Sequence, residues 1–192
     1  MERELSHPKK TINKYNIKIP VLGLGVWGVP KNKTEKIVTT AINQGYKHID
    51  TAQIYGNEKE VGKAIRGKDG IFITTKLWES NFGYEKTIKA CEESLSKLNN
   101  IDLFLMHSPH GPEIRKETWE AMQYLLKNKY VKAIGVSNFG IHHIKEILLW
   151  AEIGPCMNQI ELSPFLQRRE LSNFCKEEGI ATTAYSPLTH GI

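Results

Sequence analysis

Gly23-Leu24-Gly25-Val26-Trp27-Gly28, followed by Val29-Pro30, is the stretch whose reading decides the fold. As a string it fits G-x-G-x-x-G, the turn of a doubly wound dinucleotide-binding fold. That turn needs a helix that starts inside the glycine run, so that the helix N-terminus faces a pyrophosphate. Here a bulky tryptophan sits within the run and Pro30 follows it, which predicts a helix start near Asn32 or later. The glycines therefore read as a strand end and a tight loop.

Downstream of that loop, short apolar or β-branched runs alternate with longer stretches of helical period. The strand candidates are Val21–Val26, Lys47–Ala52, Ile71–Lys76, Asp102–His107, Ala133–Ser137, Met157–Leu162 and Ala181–Tyr185. Between them, Ile37, Val38, Ala41 and Ile42 share one helical face before a stop at Gly45. Further stripes are formed by Ile88, Cys91, Leu95 and Leu98, by Trp119, Met122 and Leu126, and by Ile141, Ile144, Ile147 and Leu148. A weaker one, Leu171 with Phe174-Cys175, ends at Gly179. Apolar spacing of three and four marks helices with one buried face, and strands separated by such helices imply parallel crossovers. The expectation is an α/β chain, a (β/α)8 TIM barrel in one domain over residues 1–192. A small hairpin within Thr11–Ile19, turning at Asn16, closes its floor. Seven strands can be counted, whereas a closed barrel needs an eighth and about 200 residues or more. The barrel is thus expected to be incomplete at the C-terminal end.

Composition narrows the classes. The 192 residues are 40% hydrophobic and 24% charged, an ordinary globular balance that argues against disorder along most of the chain. The net charge of +5 would suit a nucleic-acid or membrane surface if the basic residues were clustered. They are scattered instead, the densest runs being Lys9-Lys10, Lys31, Lys33 and Lys36, and Arg168-Arg169. No run reaches the length of a charged tail, so the expectation is a solvated surface with no nucleic-acid and no membrane partner. Cys91, Cys156 and Cys175 lie far apart and form neither a metal pattern nor a disulfide framework, which points to a reducing compartment. The first ten residues lack an apolar signal core, and no run of about 18 apolar residues occurs. A cytoplasmic protein without a metal is expected.

In a parallel barrel the reactive groups come from the C-terminal ends of the strands. Collecting polar residues there gives Asp50, with Tyr55 shortly after, then Lys76, His107, Ser137, Asn138, Gln159 and Tyr185. A tyrosine with an ordinary pKa near 10 is a poor proton donor at neutral pH. A neighbouring ammonium favours the phenolate, and a carboxylate beside that ammonium keeps it charged. The phenol can then protonate an alkoxide that develops when hydride reaches a carbonyl carbon, while an imidazole holds the same oxygen. Each residue also has a structural reading. Asp50 can cap a helix, Tyr55 can pack under its loop, and His107 can be a hydrogen-bonded strand-end residue. Lys76 is harder to place that way, because it ends the apolar run Ile71-Phe72-Ile73-Thr74-Thr75, where an unpartnered ammonium is costly.

These residues lie in stretches that resemble the aldo-keto reductase family. Gly45-Tyr46-Lys47-His48-Ile49-Asp50-Thr51-Ala52, Tyr55-Gly56-Asn57-Glu58 and Val61-Gly62 resemble its first signature, with Lys47 where arginine is usual. Ile73-Thr74-Thr75-Lys76-Leu77-Trp78 is similar to the strand that carries the family's lysine. Leu105-Met106-His107-Ser108-Pro109 is similar to the histidine strand, with Ser108 where many members have tryptophan. Lys132-Ala133-Ile134-Gly135-Val136-Ser137-Asn138-Phe139 resembles the second signature. Asn158-Gln159-Ile160-Glu161 and Thr183-Ala184-Tyr185-Ser186-Pro187-Leu188 complete the series in order.

The resemblance implies an oxidoreductase acting on CH–OH groups that reduces aldehydes or ketones with NADPH. Tyr55 would be the proton donor, Lys76 and Asp50 would lower its pKa, and His107 would orient the carbonyl. Ser137, Asn138 and Gln159 would bind the nicotinamide carboxamide, with the Tyr185 ring stacked on the nicotinamide. Ser186, Pro187 and Leu188 would begin a pyrophosphate-side loop, and Gly25, Val26, Trp27 and Asp50 would also touch the cofactor. Trp27 and Trp78 would join Tyr55 and His107 as walls of a small-carbonyl pocket, unless both tryptophans are core residues. Ser108 would make that pocket roomier or more polar. The family's lysine-serine segment, which reads the adenosine 2′-phosphate, is absent from the sequence, and so are the eighth strand and the last helices. The contrasting expectation is a shortened, inactive chain acting as a binding module, whose exposed barrel edge promotes self-association.

Overall fold

The computed structural model describes residues 9–12 and 16–189. Two short strands, β1 (Lys9–Ile12) and β2 (Ile17–Pro20), pair antiparallel with Lys10 opposite Ile19. This is the expected floor hairpin, extended at each end. Asn16 sits at its turn with φ 52°, a left-handed conformation that asparagine tolerates better than most L-residues. Residues 13–15 of the expected hairpin lie outside the described residues.

Seven parallel strands follow in sequential order: β3 (Leu24–Gly25), β4 (His48–Asp50), β5 (Phe72–Leu77), β6 (Leu103–Met106), β7 (Ile134–Ser137), β8 (Met157–Glu161) and β9 (Ala181–Tyr185). Each pairs with its sequence neighbour, which is the arrangement of a barrel wall. Helices α1 (Lys31–Asn43), α2 (Glu58–Ile65), α3 (Tyr84–Leu98), α4 (Pro112–Lys127), α5 (Ile141–Trp150) and α6 (Arg169–Glu177) make the crossovers. Among the described residues no pairing joins β3 to β9, so the wall has an open seam there. The seam shows in burial: all six positions of β5 are buried, whereas Ala184 and Tyr185 of β9 are exposed.

The strand period of two sorts the core into two layers. Ile49, Ile73, Leu77, Phe104, Met106, Ile134 and Val136 face outward and pack under the helices, where Trp119 is wholly buried. Phe72, Leu103, Leu105, Ala133 and Met157 face inward and pack onto Ile19 of the hairpin. Continuing the inward rows toward the strands' C-terminal ends brings up Asp50, Lys76 and Ser137. The same alternation that fills the barrel with hydrocarbon therefore lines its upper end with polar groups.

Several sequence expectations shift by a residue or more. Helix α1 starts at Lys31 with Pro30 as its cap, three residues past Gly28, so the glycine run is a strand end and turn, as read. On α1 the buried face is Thr34, Val38 and Ile42, while Ile37 points to solvent. Strand β3 is only two residues long and pairs with β4 alone; Val21 and Leu22, expected within it, are exposed. Helix α2 has no counterpart in the expected elements. It is short and runs unbroken through Gly62, where a Cβ would lie 1.7 Å from the Lys97 carbonyl oxygen at the end of α3. That close approach needs glycine for space rather than for backbone freedom. No helix among the described residues is long and apolar enough to cross a membrane, and no acidic, cysteine or histidine cluster among them could hold a metal ion.

Candidate active site

Asp50 ends β4, and the chain leaves it through a single 3-10 turn, Gln53–Tyr55, that swings Tyr55 back over the barrel end. Gln53 holds the turn. Its Oε1 accepts from the Trp78 backbone N–H at 2.9 Å and from Asn81 Nδ2 at 3.0 Å, and its Nε2 donates to the Ala90 carbonyl at 3.0 Å. Asn57 fixes the neighbouring loop. Its amide donates to the Val26 carbonyl at 3.0 Å and accepts from Thr51 Oγ1 at 2.9 Å. The loops that carry Tyr55, Trp27 and Trp78 are thus tied together by two amide side chains that belong to none of the expected roles.

Lys76, 1% exposed, enters from β5. Its ammonium donates to Asp50 Oδ1, to the Thr51 carbonyl at 3.0 Å and to the Tyr55 hydroxyl at 3.3 Å. An ammonium has three donors and all three are used. Asp50 in turn accepts from Gln159 Nε2 at 2.6 Å on its other oxygen. His107, just past β6, meets Tyr55 and Trp78 with its ring nearly perpendicular to theirs, the centroids 5.8 Å and 5.2 Å away. The sequence thus assembles Asp50, Tyr55, Lys76 and His107 at one point.

The electrostatics follow from burial. Burial alone would pull Lys76 down, but Asp50 and then Tyr55 more than restore it, so the ammonium stays charged. Tyr55 moves the other way from the sequence expectation. Burial pushes its phenol above the ordinary value, Lys76 opposes this, and Asp50 adds to the rise. Lys76 does pull the phenol down as read, yet desolvation outweighs it. Burial lowers His107 to about 4, helped by the nearby Lys76 charge and opposed by Asp50 and Glu79. Its Nδ1 is buried with no partner, so a second ring N–H would be left unpaired. The imidazole is neutral at neutral pH.

A cavity of about 890 Å³ opens over these groups. Of the residues assigned from sequence to the cofactor, it is lined by Gly25, Trp27, Asp50, Ser137, Asn138, Gln159, Tyr185, Ser186 and Pro187. It also touches Tyr55, Trp78 and His107. Two assignments fall elsewhere. The Val26 side chain is wholly buried in the outer core, and Leu188 projects into solvent off the cavity wall. Both tryptophans face the cavity rather than the core, Trp27 being 68% exposed. Ser108 is buried.

On the far side of the cavity the polar groups form one net. Asn138 Nδ2 donates to the His107 carbonyl at 3.0 Å and to Ser137 Oγ at 3.2 Å, and Asn138 Oδ1 accepts from the Tyr185 hydroxyl at 2.9 Å. Ser137 Oγ donates to the Gln159 carbonyl at 2.9 Å. A hydroxyl and two amides beside a half-exposed aromatic face fit a nicotinamide, whose carboxamide both donates and accepts and whose ring needs a flat wall. Gln159 is partly committed already, since its amide nitrogen is spent on Asp50.

A family model for the aldo/keto reductase family matches residues 21–192. Glyoxal reductase of Bacillus subtilis is 44% identical over 191 residues, covering 95% of this chain and 69% of that protein. The crystal structure of an aldo/keto reductase from Brucella melitensis superposes with a TM-score of 0.92 at 43% identity, over 96% of this chain and 74% of the other. That of a Bombyx mori aldo-keto reductase in complex with NADP gives 0.87 at 32%, over 95% and 67%. The chain spans about two thirds of the length of the curated relatives it matches, for example 67% and 64%. With the parallel barrel wall, the site geometry and these matches agreeing, the chain belongs to the aldo/keto reductase family.

Proposed function

We propose that this chain carries the reaction centre of an NADPH-dependent reductase of small aldehydes and ketones. The observation that carries the reading is the Lys76 ammonium, bonded at once to the Asp50 carboxylate and the Tyr55 hydroxyl. When bound, a reduced nicotinamide would supply hydride for the carbonyl carbon. Tyr55, whose phenol is protonated at neutral pH already at its ordinary pKa and which burial shifts further up, gives its proton to the carbonyl oxygen. Lys76 stabilises the phenolate left behind, and Asp50 keeps Lys76 charged and aimed. Neutral His107 can donate one N–H to the same oxygen and hold it beside Tyr55. Ser137, Asn138 and the Tyr185 ring would hold the nicotinamide end, while Trp27 and Trp78 supply apolar walls that exclude water. The NADP complex of the Bombyx mori relative supports this cofactor, and the Bacillus subtilis glyoxal reductase supports a small aldehyde substrate.

The test is NADPH oxidation followed at saturating glyoxal, alongside a panel of simple aldehydes, with NADH run in parallel. Tyr55→Phe is expected to lower kcat by about 100- to 10,000-fold, the range for losing a general acid. A Tyr55→Phe variant that turns over within tenfold of the parent would remove the tyrosine from this role.

A further inference from the structure

Asn138 has φ 64°, a left-handed conformation that asparagine visits more readily than most L-residues and that turns the chain sharply. The turn has a mechanical consequence. β7 ends at Ser137, the Asn138 N–H still reaches the Gln159 carbonyl at 2.9 Å, and there the ladder stops. Phe139, wholly buried, then has backbone groups that cannot be left unpaired out of water. Both are met by one side chain. Asn158 Nδ2 donates to the Phe139 carbonyl at 2.8 Å, and Asn158 Oδ1 accepts from the Phe139 N–H at 3.4 Å. Asn158 is itself wholly buried, on the outer face of β8, with Cys175 Sγ 3.9 Å from its Nδ2. Its successor Gln159 points the opposite way, into the barrel and onto Asp50.

We propose that Asn158 is a positioning residue for cofactor binding: it takes the place of a strand partner for Phe139 and thereby holds the left-handed turn that aims Asn138. The consequence reaches further than one side chain, because Asn138 joins the His107 carbonyl, Ser137 and the Tyr185 hydroxyl. If the turn relaxes, the contacts that define the nicotinamide wall relax with it. The inference rests on the reading of Asn138 as a nicotinamide contact, and its test keeps the two apart.

Asn158→Leu removes both hydrogen bonds while keeping the same branching and number of side-chain heavy atoms, and Asn158→Asp keeps the acceptor while losing the donor. Each is made alone and with Asn138→Ala, in the full chain. Two readouts are taken: hydrogen exchange of the unliganded protein over residues 137–141, and NADPH affinity by fluorescence titration. Asn158→Leu should speed exchange in that segment at least tenfold while leaving β5 protected, and should weaken NADPH about tenfold. In the Asn138→Ala background the same change should cost little more, because the lost alignment is of a side chain no longer there. If Asn158→Leu does not fold, Asn158→Asp takes its place, with smaller effects in the same direction. Unchanged exchange over 137–141, or an affinity loss as large in the Asn138→Ala background as in the parent, would overturn the proposal. Should Asn138→Ala leave NADPH affinity intact, the cofactor reading of Asn138 falls, and the exchange data alone decide whether Asn158 holds the turn.

Discussion

Replacing His107 by glutamine should flatten the dependence of stability on pH. In the folded chain His107 is lowered to about 4 from 6.5. Between those values the unfolded chain binds a proton that the folded chain refuses. Acidification therefore favours unfolding, and the stabilisation present above pH 6.5 is lost as pH falls toward 4. Integrating the difference in bound protons from pH 7 to pH 5 gives a loss of about 2 kcal/mol from this residue alone. The physical source is partial burial, the Lys76 ammonium on β5 and an Nδ1 that has no acceptor to receive a second proton. Asp50 and Glu79 act in the opposite sense and are outweighed.

Burial also lowers His48 and His143, which adds to the pH dependence in the same sense. The measurement is therefore a difference. Urea unfolding is followed by tryptophan fluorescence at pH 7 and at pH 5 for the parent and for His107→Gln. The parent should lose about 2 kcal/mol more than the variant between the two pH values. Equal losses would refute the reasoning, and would mean that the ring protonates in the fold with little penalty.

Two further outcomes follow from packing. Gly62→Ala places a Cβ 1.7 Å from the Lys97 carbonyl oxygen and 2.8 Å from its carbon, so α2 must move off α3; a loss of about 3 kcal/mol and a Tm lower by about 10 °C are expected in a thermal melt. Cys91, Cys156 and Cys175 are all buried, and burial pushes Cys91 up to about 12, so a thiol reagent at pH 8 should titrate none of the three within minutes in the native protein and all three in denaturant.

The reactive groups are legible in the sequence because two simple periods cross. Strand alternation places Lys76 on the same face as Phe72, and the barrel rule places chemistry where those inward rows reach the strand ends. Residue type does the rest, since an ammonium closing an apolar run must have partners. What stays hidden depends on distances between segments far apart in sequence. Helix α2 shows too short an apolar stripe to register, and Gly62 looks like a breaker until Lys97 is seen against it. Ile37 matches a helical face, yet the helix rolls to bury Thr34, whose hydroxyl bonds back to the Pro30 carbonyl at 3.1 Å. The direction of the Tyr55 shift is hidden for a similar reason: charge partners can be read from residue types, whereas desolvation is a property of the finished packing. Gln53, Asn57 and Asn158 carry no sequence sign of these roles, although Asn57 and Asn158 stand within the stretches that resemble the family.

Hydrogen-bond accounting also sets the direction in which the site can release a proton. Lysine has no acceptor, so at the contact between Lys76 and Tyr55 the ammonium donates and the phenol oxygen accepts. The phenol's own proton is then not held by Lys76. No bond joins it to Asp50 either, whose oxygens accept from Lys76 and from Gln159. Among the described residues no other acceptor takes it, and Tyr55 lies on the cavity wall beside the His107 ring. A ligand oxygen placed there meets a proton that the protein has left unpaired and an ammonium ready to stabilise the anion formed when it leaves.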